Sequence, residues 1–391
     1  MNIKNYSLNF FNSEGRKVYT FDAILEIEFG RTKNAVGAAS ILIPNLNIYN
    51  INEFQRNCTL EIYRDGKIIP VLWYFKKATI TQETIELVFF DHLTLLDQRY
   101  VTWYEVDGYN YPSHLRMEAD EMITEIIRTN LGTGVNDDLG YSPISIPTTL
   151  AAMGVTARTM PFTLVNSLSE ATIIENSAAW VKVLQVVQNI AKTAESNGEN
   201  IWFDFTYIPN IDGYTLGRLS FHVWFGLRGS DLRIGQVPNP SVFSPELGNL
   251  VDYQMEIDYE NFYNQVYVLA KELPEVDDGI QLVRIVAYPE TYENIGINLY
   301  EFVEQIDDVE TNDDAMLARA KALYQSGKEI RRLTGNIIQV PSSQFFKHYN
   351  FGDKVSAYWQ NIFFETEIAS YNITIGETEE IRIPFNTNTQ V

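Results

Sequence analysis

Cysteine is almost absent from this chain of 391 residues, in which Cys58 stands alone. A single cysteine excludes an internal disulfide framework of the kind that holds small secreted domains together. The four histidines show no HxH or HExxH spacing. We therefore expect no metal and no cofactor, and each histidine is predicted to be a surface or half-buried structural residue: His92, His114, His222 and His348.

Long apolar segments are missing as well. No apolar run reaches the ~18 residues that a membrane-spanning helix needs. The N-terminal segment MNIKNYSLNF also lacks the basic region and apolar core of a signal peptide. The sequence therefore predicts a soluble protein that is made in the cytoplasm and has no membrane span.

Basic residues are outnumbered, since 29 Lys and Arg stand against 51 Asp and Glu, which gives a net charge of −22. Stable binding to nucleic acid requires Lys and Arg against the phosphates, so specific DNA binding is disfavoured. Passage of DNA nearby is compatible with this charge, because a like-charged wall repels phosphate. Composition alone favours the simpler interpretation, that acidity keeps the protein soluble.

Aromatic residues are abundant, at 13% of the chain, and together with Ile and Thr they favour β-structure. Residues 1–105 contain successive strand patterns and are predicted to form a first β-domain. Asp65 and Gly66 lie between two apolar runs, which is a strong signal for a hairpin with a type I′ turn. Pro70 is expected at a sheet edge or at a bulge.

The middle of the chain, residues 106–245, is predicted to be an α+β insertion. Apolar residues at helical spacing indicate helices over 113–132 and 180–197. Residues 132–165 read as a long loop, and two strand patterns around Gly213 predict a hairpin.

The C-terminal part returns to β-structure. Residues 246–272 and 333–391 are predicted to build a second β-domain, into which residues 273–332 insert a strand and a helix. The expected fold class is therefore α+β and mainly β, with two β-domains and an inserted α+β domain.

The segment VDYQMEIDYE, from Val251 to Glu260, alternates apolar and polar residues without a break. A period of two is typical of a β-strand with one buried face. Four of the five residues on the other face are acidic: Asp252, Glu256, Asp258 and Glu260. Such a row could be a catalytic site, a metal site, a solvated surface or the lining of a passage for acidic material.

Catalytic motifs are not evident, and no catalytic residue is assigned. There is no GxSxG elbow, no complete phosphate loop and no dinucleotide-binding glycine pattern. The acidic segments EVDDG and DDVETNDD lack the EF-hand spacing and favour solvated loops. Paired carboxylates such as Glu365 and Glu367 leave a glycan hydrolase open. A sugar groove would use exposed tryptophans, for which the candidates are Trp73, Trp103, Trp224 and Trp359.

Several stretches, in a fixed order, resemble one family. The opening from VYTFDAILEIEFG to LTLLDQRY contains a strand pair, an aliphatic LIP strand, the Asp65-Gly66 hairpin and a closing LLDQR segment. Gly248 and Asn249 lead into the alternating strand, Asn264 precedes the paired VYV, and Gly352 with Asp353 opens the final strands. In this order the stretches resemble the tail-tip or baseplate hub proteins of tailed phages, in particular the siphophage hub family that is similar to the central hub of contractile baseplates.

This resemblance implies a homotrimer in which each subunit contributes two β-barrel tube-type domains, residues 1–105 and 246–272 with 333–391. Three copies would form a ring of six that fits a hexameric tail tube to threefold tip components. The implied partners are the distal tail or tail tube protein, the tape-measure protein and a tail fibre or spike protein. The implied location is the tail tip of the virion, and the acidic strand would face a lumen through which DNA leaves.

Two alternatives from other classes remain open. One is a virion-borne or secreted glycan hydrolase built on β-structure, which activity lost on changing one carboxylate pair would favour. The other is a carbohydrate-binding protein without catalysis, which glycan binding through exposed tryptophans would favour.

Overall fold

The computed structural model describes residues 6–46, 49–101, 104–106, 109–111, 113–131, 163–164, 171–178, 180–260, 262–271, 283–289, 299–306, 313–327 and 330–390. The chain divides into two compact units. The first contains Met1–Val242, Ile337–Val355 and Glu367–Pro384, and the second contains Phe243–Asn336, Ser356–Thr366 and Phe385–Val391. The predicted fold class, α+β and mainly β, is confirmed.

A large antiparallel sheet dominates the first unit. Its strands are β1 (Tyr6–Phe11), β2 (Lys17–Phe21), β3 (Glu26–Thr32), β4 (Ala38–Pro44), β5 (Thr59–Arg64), β6 (Lys67–Ile80), β7 (Thr84–Asp91) and, late in the chain, β23 (Ser370–Ile375). They lie in the order β23-β3-β4-β7-β6-β5-β1-β2. Alternate residues of these strands point into the core, where Phe29, Ile41 and Leu87 are fully buried.

Local turn chemistry shapes this sheet as the sequence predicts. Asp65 and Gly66 have φ values of 51° and 73°, so both occupy the left-handed region that a type I′ turn requires. Pro70 lies where the register between β5 and β6 shifts between Glu61 and Tyr63, so the expected bulge is confirmed. A 3₁₀ helix (Ile51–Glu53), helix α1 (Thr94–Asp97) and the short hairpin β8 (Tyr104–Val106) and β9 (Tyr109–Tyr111) complete this part.

The middle of the first unit is a layer of helices on small sheets. Its elements are β10 (Ser113–Glu118), α2 (Ala119–Leu131), β11 (Thr163–Leu164), β12 (Ile173–Ala178), α3 (Val183–Ser196), β13 (Ile201–Ile208) and β14 (Arg218–Phe225). The apolar faces of α2 and α3 share one core with the strands, to which Ile123, Val187 and Phe203 belong. The predicted hairpin around Gly213 is confirmed as β13 and β14.

Both predicted helices begin later than the sequence suggests. Residues 113–118 are not helical, because they pair along their whole length with β12 and so gain their backbone hydrogen bonds from a strand. Helix α3 begins at Val183, since Lys182 has the non-helical ψ of 136° and Trp180 has a left-handed φ of 59°. Of the predicted loop 132–165, only residues 163–164 lie within the described part of the chain, and they form β11.

The second unit contains most of the remaining elements: β15 (Val242–Phe243), β16 (Leu250–Asp258), β17 (Gln265–Lys271), β18 (Val283–Tyr288), β19 (Glu301–Ile306), α4 (Asp313–Ser326), β20 (Ile330–Ile337), β21 (Lys354–Trp359), β22 (Ile362–Glu367) and β24 (Glu379–Gln390). Strand β17 lies between antiparallel β18 and parallel β19. Helix α4 packs on this sheet through Met316 and Ala320, against Val266 and Val268. Strand β20 lies between β16 and β24, and β21 lies between β15 and β22.

Some predictions about the architecture stay predictions. The strand pairings of the described residues do not close into a ring, so the tube-type barrels remain to be tested. The same holds for the predicted domain boundaries at 105, 245, 272 and 332. Within the described ranges, no helix has both the length and the apolar character needed to cross a membrane.

Candidate functional site

The acidic side chains of β16 contact side chains of β20, its neighbour in the sheet. The Asn336 Nδ2 atom donates to Asp252 Oδ2 at 3.4 Å, and the Arg332 Nη1 atom lies 3.3 Å from Glu256 Oε2. The two acidic residues are four apart in the strand, so they point to the same face. Both are exposed, and one of the two has a cationic neighbour.

The other two residues of the predicted row close the strand. Asp258 is its last residue, and its Oδ1 atom accepts a hydrogen bond from the backbone N–H of Glu260 at 2.7 Å. This is an Asx turn, which fixes the direction in which the chain leaves the sheet. The structure therefore brings Asp252 and Glu256 into one row, with Asp258 and Glu260 in the turn beyond it. Their placement on a lumen stays a prediction.

Strand β16 is irregular near its start. Asp252 has a left-handed φ of 50°, which is unusual for a residue within a strand. On β20, a side chain at Gly335 would lie 3.1 Å from the carbonyl oxygen of Val251 and 3.3 Å from the Cα of Tyr253. The two strands approach this closely because residue 335 has no Cβ atom.

Three of the five apolar side chains on the face that the alternation predicts to be buried are exposed, whereas Val251 and Met255 are half-buried. Tyr253, Ile257 and Tyr259 are 43%, 51% and 57% exposed. The Tyr253 ring touches Trp359 edge-on, with centroids 5.5 Å apart. The prediction is wrong for the single chain because a sequence period fixes only the chemical character of a face, and burial requires a second layer. The second unit thus presents exposed apolar side chains and an acidic row on the two faces of the same strand.

The Gly248-Asn249 motif forms the turn that starts β16. Gly248 has a φ of 67°, and its N–H donates to Pro245 at 3.0 Å. Asn249 is buried, and its Oδ1 atom accepts the N–H of Ser244 at 2.8 Å. A glycine at φ > 0 followed by a buried amide is what this turn requires.

Asn264 ties two strands of the second unit together. Its backbone N–H donates to the carbonyl oxygen of Tyr300 at 3.0 Å, and its Oδ1 atom accepts the N–H of Tyr300 at 2.9 Å. These bonds stand at the point where β17 and β19 begin their parallel pairing. The side chain therefore sets the register of that pair.

The Gly352-Asp353 motif joins two segments of the first unit. Gly352 has a φ of 91°, which favours glycine. Asp353 is buried, and its carboxylate accepts the N–H groups of Ser230 and Asn350, each at 2.7 Å. Burial raises the pKa of Asp353 above its ordinary value, against these hydrogen bonds and the Arg228 charge. This carboxylate is structural, because both oxygens are engaged by the backbone.

Sequence patterns did not reveal a buried cluster of charges in the first unit. Asp204 accepts Arg31 Nη2 at 2.5 Å, Arg31 Nη1 at 3.0 Å and Arg228 Nη2 at 2.8 Å. Arg31 also donates through Nε to Asp91 at 2.8 Å. His92 lies with Nε2 3.1 Å from Asp204, and its Nδ1 atom accepts the N–H of Leu72, so we assign the tautomer with the proton on Nε2.

The electrostatics of this cluster are those of a paired, desolvated set. Burial alone would raise the pKa of Asp204, but Arg31, Arg228 and His92 hold it well below its ordinary value. Burial would likewise lower the pKa of Arg31, yet Asp204 and Asp91 raise it. The cluster therefore connects β3, the end of β7 and β13 through buried ion pairs. Its one signal in the sequence is the aspartate inside the apolar run IWFDFTYI.

Histidine predictions are partly corrected by this cluster. His92 is fully buried, because the cluster and Phe205 enclose it. His222 is half-buried and His348 is exposed, as predicted. The side chain of His114 lies outside the described residues.

One of the tryptophans proposed for a sugar groove lies in the core. Trp73 is fully buried, so its predicted exposure is wrong, because it packs edge-on against Phe29 in the core of the large sheet. Trp224 stacks on His222 at 5.2 Å. Trp103 lies outside the described residues.

In the carboxylate pair Glu365 and Glu367, the second residue accepts hydrogen bonds that hold the fold together. The Glu367 carboxylate accepts Trp202 Nε1 at 2.9 Å and Asn200 Nδ2 at 2.6 Å. Over the ranges that the structure describes, no three His, Cys, Asp or Glu side chains gather into a possible metal site. The acidic segment 275–279 and residues 307–312 lie outside those ranges.

Neither a protein-family model nor a curated protein matches the sequence. Several solved structures are similar to the structure of this chain. The tail protein from Neisseria meningitidis matches at a TM-score of 0.49 and 12% identity, covering 98% of this chain and 97% of that one. The 43 kDa tail protein of prophage MuSo2 from Shewanella oneidensis matches at 0.48 and 11%, covering 99% and 98%.

A third similar structure is the prophage tail protein gp18 from Listeria monocytogenes, at a TM-score of 0.48 and 11% identity, covering 99% of this chain and 94% of that chain. Each of these three similar structures is a tail protein, and two of the three come from prophages.

Proposed function

We propose that the chain is a structural hub subunit of a phage tail tip or baseplate. The observation that carries the proposal is the placement of the motifs on which the sequence resemblance rests. They are far apart in the chain, yet each forms a junction between elements: the type I′ turn at Asp65-Gly66, the turn into β16, the Asn264 link and the Gly352-Asp353 anchor. Residues placed at such junctions fix an architecture, as a structural subunit requires.

The proposed assembly is a homotrimer. Each subunit would contribute two tube-type β-domains, residues 1–105 and residues 246–272 with 333–391, so three copies would present six similar modules. The exposed strip of Tyr253, Ile257 and Tyr259 supports self-association, because contiguous exposed apolar side chains are typical of protein interfaces.

The proposed ring would lie at the tail tip of the virion, where it would join the hexameric tail tube to threefold tip components. Its partners would be the distal tail or tail tube protein, the tape-measure protein and a fibre or spike protein. Asp252, Glu256, Asp258 and Glu260 would face the lumen, where their charge would keep passing DNA from binding.

Electron microscopy of the purified chain tests this proposal. We expect class averages viewed down an axis to show a ring with an open centre and six similar densities. A variant with serine at Tyr253, Ile257 and Tyr259 should lose the ring. The matched control carries serine at Ile208 and Ile211, which are exposed in the first unit and should leave the ring intact. Single globular particles for the unaltered chain would refute the proposal.

A further inference from the structure

A cavity of about 470 Å³ lies in the first unit, between the β5–β6 hairpin and residues 344–351. Five of the side chains that line it are cationic and one is acidic. The cationic residues are Arg31, Arg64, Lys67, Arg228 and Lys347, and the acidic one is Asp65. The three arginines are paired with carboxylates outside the lining, so Lys67 and Lys347 carry the local excess of positive charge, which attracts anions.

The cations differ in what they already bind. Arg31 and Arg228 are engaged by Asp204, and Arg64 Nη2 lies 2.7 Å from Glu379. Lys67 and Lys347 are exposed, and neither has a carboxylate at salt-bridge distance in the part of the chain that the structure describes. The Lys347 Nζ atom donates only to Gln344 Oε1, at 3.2 Å. The two lysines are therefore available to an incoming anion.

One wall of the cavity is aromatic and preformed. The rings of Phe345 and Phe346 lie 4.1 Å apart. Phe346 has a φ of 65°, a left-handed conformation that is strained for an aromatic residue. The backbone N–H of Phe346 donates to Tyr349 at 2.9 Å, and that of Phe345 donates to Gln339 Oε1 at 2.7 Å. These hydrogen bonds fix the backbone that carries the Phe346 ring.

Another part of the lining is a stretch of β6 that, in the described pairings, is not joined to β7. Residues 68–71 line the cavity, and β7 pairs with β6 only from Trp73 onward. Pro70 lies in this stretch at the bulge against β5. The stretch is apolar apart from its backbone, so it suits an extended peptide better than a sugar–phosphate chain.

We propose that this cavity binds an acidic peptide segment of a partner protein. A carboxylate of the peptide would lie between Lys67 and Lys347. A neighbouring aromatic or branched apolar side chain would pack on Phe346 and Pro70. The net charge of the whole chain disfavours a long polyphosphate at the same place. The proposal does not rest on the tail role, because Lys67, Lys347 and Phe346 are not among the residues that support that role.

Fluorescence polarisation with the full chain tests the site. The probe is a labelled hexapeptide of alternating glutamate and phenylalanine, at low salt so that screening is weak. The comparison peptides replace every glutamate by glutamine, or every phenylalanine by alanine. We expect both replacements to weaken binding, since the site requires the charge and the ring together.

Variants assign the binding to this cavity. Lys67→Gln with Lys347→Gln should weaken binding of the hexapeptide about tenfold, because it removes both cations that are available to the peptide carboxylates. Lys192→Gln, on the exposed side of α3, is the matched control and should bind like the unaltered chain. Phe346→Gly, which suits the left-handed backbone, should remove the preference for phenylalanine over alanine while leaving the preference for glutamate.

Two results would overturn the proposal. Unchanged affinity of the double lysine variant would show that the peptide binds elsewhere. Equal competition by inorganic phosphate or by a single-stranded oligothymidylate of the same charge would show a general anion site in place of a peptide site.

Discussion

Acidic side chains play opposite parts in the two units of this protein. In the first unit Asp204 and Asp91 are buried and held by Arg31 and Arg228. In the second unit Asp252 and Glu256 are exposed on β16, and Arg332 forms an exposed ion pair with Glu256. The first set holds layers of the fold together, whereas the second leaves a charged surface open for something outside the chain. Burial, rather than residue type, decides between the two roles.

Removing the central cation of the buried set should have the largest effect. Arg31→Met leaves Asp91 without its ion-pair partner and Asp204 with a weaker one, so we expect a loss of about 3–5 kcal/mol in the free energy of unfolding. Urea denaturation measures it. Arg16→Met, which breaks an exposed pair with Glu14 in the same unit, is the control and should cost less than about 1 kcal/mol. Equal losses in the free energy of unfolding for the two variants would contradict the proposed difference between buried and exposed charges.

Lowering the pH should reduce the stabilisation that the buried charges give to the folded state. The folded-state pKa of Asp204 lies well below its ordinary value of 3.8. Between these two values the unfolded chain binds more protons, so this contribution to stability is full above the ordinary value and is lost as the pH falls. Denaturation midpoints from about pH 3 to pH 6 should therefore rise with pH, and Asp204→Asn should flatten the rise.

The opposite pKa shift provides the control for this pH dependence. Burial raises the pKa of Asp353, so its contribution to stability falls as the pH rises above 3.8. Asp353→Asn should therefore make the rise with pH steeper. If both variants flattened the rise of the denaturation midpoint with pH, the pH dependence would not follow the direction of each residue's pKa shift.

Reversing the exposed set should create a DNA-binding surface. Lysine at Asp252, Glu256, Asp258 and Glu260 replaces four negative charges by four positive ones, which invites phosphate contacts. We expect the variant to bind a DNA duplex at low salt and to lose affinity steeply as salt increases, whereas the unaltered chain should not bind. Fluorescence anisotropy against salt concentration measures this.

A dispersed charge reversal is the control for that variant. It places lysine at Glu83, Glu121, Glu195 and Asp212, which are exposed in the first unit and lie on separate helices and turns. The total charge changes equally, so at least tenfold weaker DNA binding is expected if the row on β16 acts as one surface. Equal binding by both variants would assign the effect to net charge.

The smallest effect is expected for the single ion pair of the exposed set. A double-mutant cycle with Glu256→Ala and Arg332→Ala should give a coupling energy of about 0.2–1 kcal/mol, reduced by salt. A coupling above about 2 kcal/mol would mean that this pair is desolvated, and the comparison with the buried set would then fail.

Elements with a local signal could be predicted from the sequence. The type I′ turn at Asp65-Gly66 and the bulge at Pro70 depend on backbone preferences of the residues themselves. The start of the first predicted helix could not be predicted, because residues 113–118 find a strand partner some 60 positions away. Tertiary pairing overrides local periodicity there.

The candidate sites were predictable to different degrees. The acidic row on β16 follows from a period of two within ten residues. The exposure of Tyr253, Ile257 and Tyr259 does not, because burial depends on a second layer and not on the period. The cluster around Asp204 draws on segments near residues 31, 91 and 228, and no sequence period connects them.

The mass of the full chain in solution tests the central claim most directly. Light scattering over a concentration series should give three times the chain mass of 44.9 kDa, and serine at Tyr253, Ile257 and Tyr259 should reduce it to a single chain. A mass of one chain for the unaltered protein at every concentration would contradict a homotrimeric hub.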